Sequence, residues 1–307
     1  MLNKLFYYRN QAALDKNSKT ESMTVEEASE QVLTGLNHIL QQRGLYGEIS
    51  PVSGGTLGIT YLVRCSAGKL LFAKTHIPEE AYRLALKQEY WLFKTVYGQD
   101  LYLELIDVND QSYMFMDLLM APQQKILPDE VLQMTNIFAT RTSKLSITSN
   151  NLAHSIEDLL ENAQKESDVL YAHGLLSKEL KEYSLKALHR FERKIPDLQR
   201  CICHGDLSDK NILETDTGKR IAIDWEDGFW GIPGYDYLYW LTFFNHRCFC
   251  EREYFLKAGY SLELTTEILL MILILKSAIS FYSGNYLKNS MSIEMRIEEM
   301  LNKLGEI

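Results

Sequence analysis

"CHGDLSDKNILETDTGKRIAIDWEDG", residues 203–228, sets Asp206, then Asn211 five residues on, then Asp224 thirteen further, each beside a short apolar run. The segments 201–203, 212–214 and 220–223 read as short strands, with Thr215-Asp216-Thr217-Gly218 as the turn between the last two. Asp206 and Asn211 then lie at opposite ends of one loop. Asp224 ends the neighbouring strand, where a hairpin can bring it to Asn211. Carboxylate and amide oxygens suit magnesium, which takes few protein ligands and completes its shell with phosphate and water. Any one of the three could simply cap a strand; the joint spacing is the less ordinary event.

Composition sets bounds on this reading. The chain has 307 residues, 46% hydrophobic and 24% charged, enough for one large domain or two modest lobes. A net charge of -9 argues against a general nucleic-acid binder and favours neutral or cationic small molecules, so any phosphate must be held locally. The run 268–275 is far short of a bilayer span, and MLNKLFYYRNQ at the start lacks the long apolar stretch of a signal peptide. The expectation is a cytoplasmic protein with no membrane span. Five cysteines point to a reduced compartment. The Cys201/Cys203 and Cys248/Cys250 pairs lack the two-to-four-residue gap of structural zinc sites; on a strand, Cys201 and Cys203 pack on one side as small hydrophobes.

Local pattern changes along the chain. Residues 24–43 read as a packing helix, with Thr24 and Glu27 as a capping box and Val25, Ala28, Val32, Leu36, Ile39 and Leu40 as one stripe. Period-two runs at 48–52, 59–65, 69–75, 101–108 and 112–117 read as strands, interrupted by a helix over 79–97. Beyond Pro128 the pattern is mostly helical. The chain divides as a 1–46 extension, a 47–118 N-lobe and a 119–307 C-lobe. On "KLLFAKTH", Lys74 shares a strand face with Leu70 and Phe72 and points inward. Glu89 interrupts the apolar stripe of Ala85, Leu92 and Val96 and so wants a buried partner, which Lys74 can supply. "SGGTLGITYLV", 53–63, places Gly54, Gly55 and Gly58 in a turn where backbone N–H groups can approach phosphates. It lacks both the GxGxxG and the Walker endings.

"HGDLSDKNIL" followed by "IDWE" resembles the catalytic segment of the aminoglycoside phosphotransferase and choline kinase family. The resemblance implies an α+β, bilobal, protein-kinase-like fold with a small antiparallel-sheet N-lobe and a larger, mainly helical C-lobe. It implies that Asp206 is the catalytic base or hydroxyl-orienting group, and that Asn211 and Asp224 bind Mg2+. Gly54, Gly55, Lys74, Glu89 and Asp117 then fall on the side of the nucleotide, ATP or GTP. Gly205, and Trp225-Glu226 after the metal Asp, depart from the Arg and Phe-Gly that protein kinases place there and point to small-molecule acceptors. His204 reads as structural, and the resemblance makes Asp236 a brace for the catalytic loop. In "WEDGFWGIPGYDYLYWLTFF" most aromatics read as core, leaving Glu226 and Trp230 as acceptor-side candidates for an ammonium group. The expectation is a phosphotransferase acting on a hydroxyl of a small acceptor, choline-like, aminoglycoside or sugar. The alternative is a catalytically idle, kinase-like nucleotide-binding or scaffold protein.

Overall fold

A computed structural model of the chain describes residues 1, 3–6, 8–9, 25–44, 47–52, 58–66, 68–77, 79–145 and 152–305. Thr24, the side chain of Glu27, and the expected phosphate-loop glycines Gly54 and Gly55 lie outside the described residues. The chain forms two compact units, one of Lys19–Pro122 with Leu213–Glu226, the other of Met1–Ser18, Gln123–Ile212 and Asp227–Ile307.

The first unit is built on a five-stranded antiparallel sheet. Its strands are β1 (Gly47–Val52), β2 (Gly58–Cys65), β3 (Leu70–His76), β4 (Leu103–Val108) and β5 (Gln111–Asp117), in the order β1-β2-β3-β5-β4. Two helices accompany it, α1 (Val25–Gln42) and α2 (Glu80–Tyr97). Every strand and both helices fall within about two residues of the periodicity reading, because alternating burial on strands and a 3.6-residue stripe on helices are the signals that define them.

Val32, Leu36, Ile39 and Leu40 of α1 form one buried cluster with Tyr61, Val63, Leu71, Ala73, Tyr113 and Phe115 of the sheet. The helix can come this close only because of Gly35. A Cβ there would overlap the Tyr113 hydroxyl, which donates to the Val32 carbonyl at 3.0 Å.

This packing corrects the division expected from sequence. Residues 1–46 are not one extension: α1 belongs to the sheet unit, whereas Met1–Ser18 belongs to the helical one. Residues 213–226 also join the sheet unit. There β7 (Ile212–Glu214) and β8 (Arg220–Ala222) form a hairpin, Met120 and Glu214 exchange backbone bonds of 2.8 Å, and Lys219 pairs with Asp100 at 2.7 Å.

The second unit contains α3 (Pro128–Thr142), α4 (Ile156–Ala172) and α5 (Lys178–Lys194), then the antiparallel pair β6 (Cys201–Cys203) and β9 (Phe229–Gly231). The remaining helices are α6 (Tyr235–Leu241), α7 (Arg252–Leu256), α8 (Leu262–Tyr282) and α9 (Ile293–Leu304). Helix α8 has apolar residues on all sides, as a helix surrounded by partners requires. By length and composition alone it could cross a membrane, yet 78% of its apolar window is buried inside this unit. Its Glu267, fully buried, is matched by Arg190 and Lys194, each 3.0 Å away. Cys201 and Cys203 are buried free thiols.

Replacing Gly35 with Ala should lower stability by about 1–3 kcal/mol, the usual cost of forcing an extra methyl into a filled core. A Tyr113→Phe background, which removes the nearest colliding atom, should recover part of the loss. Denaturant midpoints of the four chains check this, and an unchanged Gly35→Ala midpoint would mean that α1 does not sit on the sheet in this way.

Candidate active site

In the sheet unit, β3 alternates so that Leu71, Ala73 and Thr75 are buried on the α1 side, which sends Lys74 to the opposite face. Helix α2 buries Leu86, Leu92, Phe93 and Val96, and Glu89 sits within that stripe at 3% exposure. The two charged residues meet: Lys74 Nζ lies 2.8 Å from Glu89 and 2.6 Å from Asp224 Oδ1. Burial works against the Lys74 charge, but the Glu89, Asp224 and Glu226 carboxylates outweigh it and push its pKa up. Burial raises the pKa of Glu89, with the Asp224 charge adding to it and Lys74 opposing. One ammonium thus serves a group of carboxylates, Glu89 and Asp224 in contact and Glu226 electrostatically.

Asp224 is held by what surrounds it. Its φ of 67° is in the left-handed region, a conformation that costs a non-glycine residue energy and persists only where neighbours enforce it. Ala222 N–H donates to the Tyr97 hydroxyl at 3.1 Å, and the Trp225 indole N–H donates to the Ala222 carbonyl at 2.8 Å. Trp225 is fully buried, its ring edge-on to Tyr97, and its backbone N–H donates to Glu89. Helix α2 therefore supplies both the partner of Lys74, Glu89, and, through Tyr97 at its end, a hold on the turn that carries Asp224.

In the helical unit the Asp206 loop leaves β6 through Gly205, whose φ is 83° and whose absent Cβ would collide with the Asp227 carbonyl. Buried Asp236, at the start of α6, accepts the His204 and Gly205 N–H groups at 2.7 and 2.9 Å, so it braces this turn. Buried His204 accepts the Asp206 N–H at 3.3 Å, a structural role within the same turn. Asp209 is anchored by the Trp240 indole at 2.8 Å and by His246 at 3.0 Å.

Asp206 itself accepts the Tyr239 hydroxyl at 2.7 Å through Oδ1, and Lys4 Nζ pairs with Oδ2. Burial would raise the Asp206 pKa, but the Lys4 ammonium, the Met1 amino group and the Tyr239 bond bring it down to about 2. The Asn211 amide nitrogen donates to the Asp206 carbonyl at 2.9 Å, which leaves the Asn211 amide oxygen as the atom available to a cation.

That segment carries the family signal. Residues 133–259 match the phosphotransferase enzyme family, APH. The match spans Asp206, Asn211, Asp224 and Asp236 and does not reach Lys74 or Glu89. No curated protein matches the sequence. Among solved structures, the fold is similar to spectinomycin phosphotransferase in complex with ADP and spectinomycin, at 12% identity and TM-score 0.55, over 89% of this chain and 93% of that one. It is likewise similar to an aminoglycoside phosphotransferase, at 14% identity and TM-score 0.55, over 89% and 98% of the two chains. The macrolide 2′-phosphotransferase of Brachybacterium faecium gives 13% and 0.56, over 90% and 99%. These likenesses are of fold: an α+β architecture with a five-stranded antiparallel sheet followed by a mainly helical region.

Other expected site residues take different places. Asp117 ends β5, where its carboxylate accepts the Tyr102 N–H at 2.7 Å and pairs with Lys69 at 3.2 Å. Glu226 acts electrostatically on Lys74. Trp230 lies on β9 opposite Ile202, beside the strand that precedes the Asp206 loop, with its N–H on the His154 carbonyl. Of the aromatic stretch, Trp225, Tyr235, Tyr237 and Trp240 are core residues. Cations of the chain itself meet ring faces of this stretch: Lys276 lies 3.2 Å from the Phe243 ring centroid and 4.1 Å from that of Tyr239, and Arg296 4.7 Å from that of Phe244. Sequence reasoning missed Tyr239 and Lys4 at Asp206. Tyr239 had a signal, since it follows Asp236 by three residues on one helix face; Lys4 had none.

The Lys74 cluster generates a stability test. Lys74→Met and Glu89→Gln should each destabilise, because each leaves its partner buried without its match, whereas the double variant should cost less than the sum by about 1–3 kcal/mol. Strict additivity in urea unfolding would dissolve the pair.

Proposed function

We propose that the protein is a kinase that transfers the γ-phosphoryl group of ATP or GTP to a hydroxyl of a small molecule. The observation that carries this reading is Lys74 held at bonding distance by Glu89 and Asp224. That is the pairing through which kinases aim an ammonium at nucleotide phosphates. The complexes of the structural relatives with ADP support a nucleotide co-substrate.

Lys74 binds phosphate oxygens while Glu89 keeps it aligned. Asp206 is ionised well below neutral pH and receives a hydrogen bond from Tyr239, so it is a fixed acceptor for the substrate O–H. Its main contribution is to aim the hydroxyl oxygen at phosphorus, and it takes the proton as the new O–P bond forms and ADP departs with the bridging oxygen. The Asp224 carboxylate in one unit and the Asn211 amide oxygen in the other are each of the donor type that Mg2+ takes, and the metal when bound would neutralise charge on the phosphates. The carboxylates of Asp206 and Asp227, with the net charge of -9, favour an acceptor that carries an amine.

A screen for ADP release over choline, ethanolamine, aminoglycosides, simple sugars and nucleosides tests the assignment. Magnesium-dependent release with one acceptor class is expected. Asp206→Asn should cut turnover by about 10²–10⁴-fold with nucleotide affinity nearly unchanged, while Asp224→Ala should weaken magnesium-nucleotide binding. A chain that binds nucleotide but transfers nothing to any acceptor would instead be an idle binder.

A further inference from the structure

The helical unit includes the start of the chain, and that segment lies against Asp206. Residues 3–6 and 8–9 are helical. Leu5 is completely buried and Met1 is 1% exposed, so the segment is seated by apolar burial as well as by charge. Asn3 N–H donates to Asp227 Oδ1 at 3.2 Å, and the Met1 amino nitrogen is 2.6 Å from the same oxygen. Asp227 is itself buried, and its Oδ2 has no bonding partner among the described residues. The Asn3 side chain meets His154 at 3.0 Å. Arg9 reaches Asn162 at 3.2 Å and buried Glu166 at 3.4 Å. Lys4 completes the row on Asp206 Oδ2.

Asp206, Asp227 and Glu166 thus form a track of buried or half-buried carboxylates, and one short basic segment supplies a cation to each. Lys4 Nζ and the Asn211 amide both lie on Oδ2, and Tyr239 donates to Oδ1, so a substrate hydroxyl would compete with Lys4 for this carboxylate.

We propose that the segment of residues 1, 3–6 and 8–9 is an intramolecular inhibitor seated in the acceptor site, with Lys4 on Asp206, so that an acceptor must displace the segment before phosphoryl transfer. The inference rests on the reading of Asp206 as the acceptor-facing carboxylate. It goes beyond that reading by giving the site a resident occupant and a released state. Two independent forces hold the occupant, the Lys4 charge and the buried Leu5 side chain, and either can be weakened without touching Asp206, Tyr239, Asn211 or the Lys74 cluster.

The test uses the full chain, Lys4→Met, which keeps the apolar stem and drops the charge, and Leu5→Asp, which breaks the buried seat. Hydrogen exchange at the amides of residues 3–6 and 8–9 reports seating whether or not the protein turns over. ADP release from magnesium-ATP, with water alone and with ethanolamine as the probe acceptor, reports the consequence. Both variants should speed exchange in the segment, and both should raise ADP release by about tenfold, the equivalent of one lost charge-assisted bond. Unprotected amides in the unmodified chain would overturn the seat itself. Faster exchange with unchanged or reduced ADP release would overturn inhibition and make Lys4 a positioning residue of the site. Absence of ADP release in all three chains would overturn the phosphotransfer reading and the inhibitory role together, with protected amides then marking a purely structural seat.

Discussion

Lys74 is the residue on which the sheet unit is organised. An ammonium at 17% side-chain exposure is tolerated only because carboxylates from two separate places reach it, Glu89 from α2 and Asp224 from the turn after β8. Each supplier is constrained in turn. Glu89 must sit within an apolar helix face, which fixes the rotation of α2 about its axis. Asp224 must adopt a left-handed backbone, which Tyr97 and Trp225 enforce through Ala222. Removing the lysine would leave Glu89 buried without the ammonium that matches it.

The Asp206 loop is organised on another principle. Its carboxylate is fixed by side chains, but its backbone is fixed by Asp236, which accepts two successive N–H groups, and its far end by Asp209 against Trp240 and His246. Carboxylates here serve as acceptors for main-chain and ring donors, so the loop is held without strand pairing. It can remain polar and partly open while its anchors are buried.

Much of this was legible in the residues, for physical reasons that differ by element. The sheet and its helices follow from periods of two and 3.6, which survive folding because one face of each element is buried. Lys74 and Glu89 stood out as charges on otherwise apolar faces. Asp236 was legible as a carboxylate at a helix start. The division of the chain was not, since α1, Met1–Ser18 and residues 213–226 join their units through contacts between residues far apart in sequence. Lys4 meets a partner 202 residues away and leaves no trace in local pattern. Asp117, expected on the nucleotide side, ends β5 with its carboxylate on the Tyr102 N–H, a bond between residues far enough apart that local pattern does not show it.

Gly205 has a consequence for how such a protein can be controlled. Protein kinases place an arginine beside the catalytic aspartate, where it can read a phosphate added to the activation loop and order that loop. Here the same position carries a left-handed backbone pressed against the Asp227 carbonyl, with no room for a Cβ and therefore none for a guanidinium. The turn is held instead by the Asp236 carboxylate, which accepts the His204 and Gly205 N–H groups. A covalent phosphate sensor of that type is sterically closed to this chain, and evolution could open it only by rebuilding the turn between β6 and Asp206.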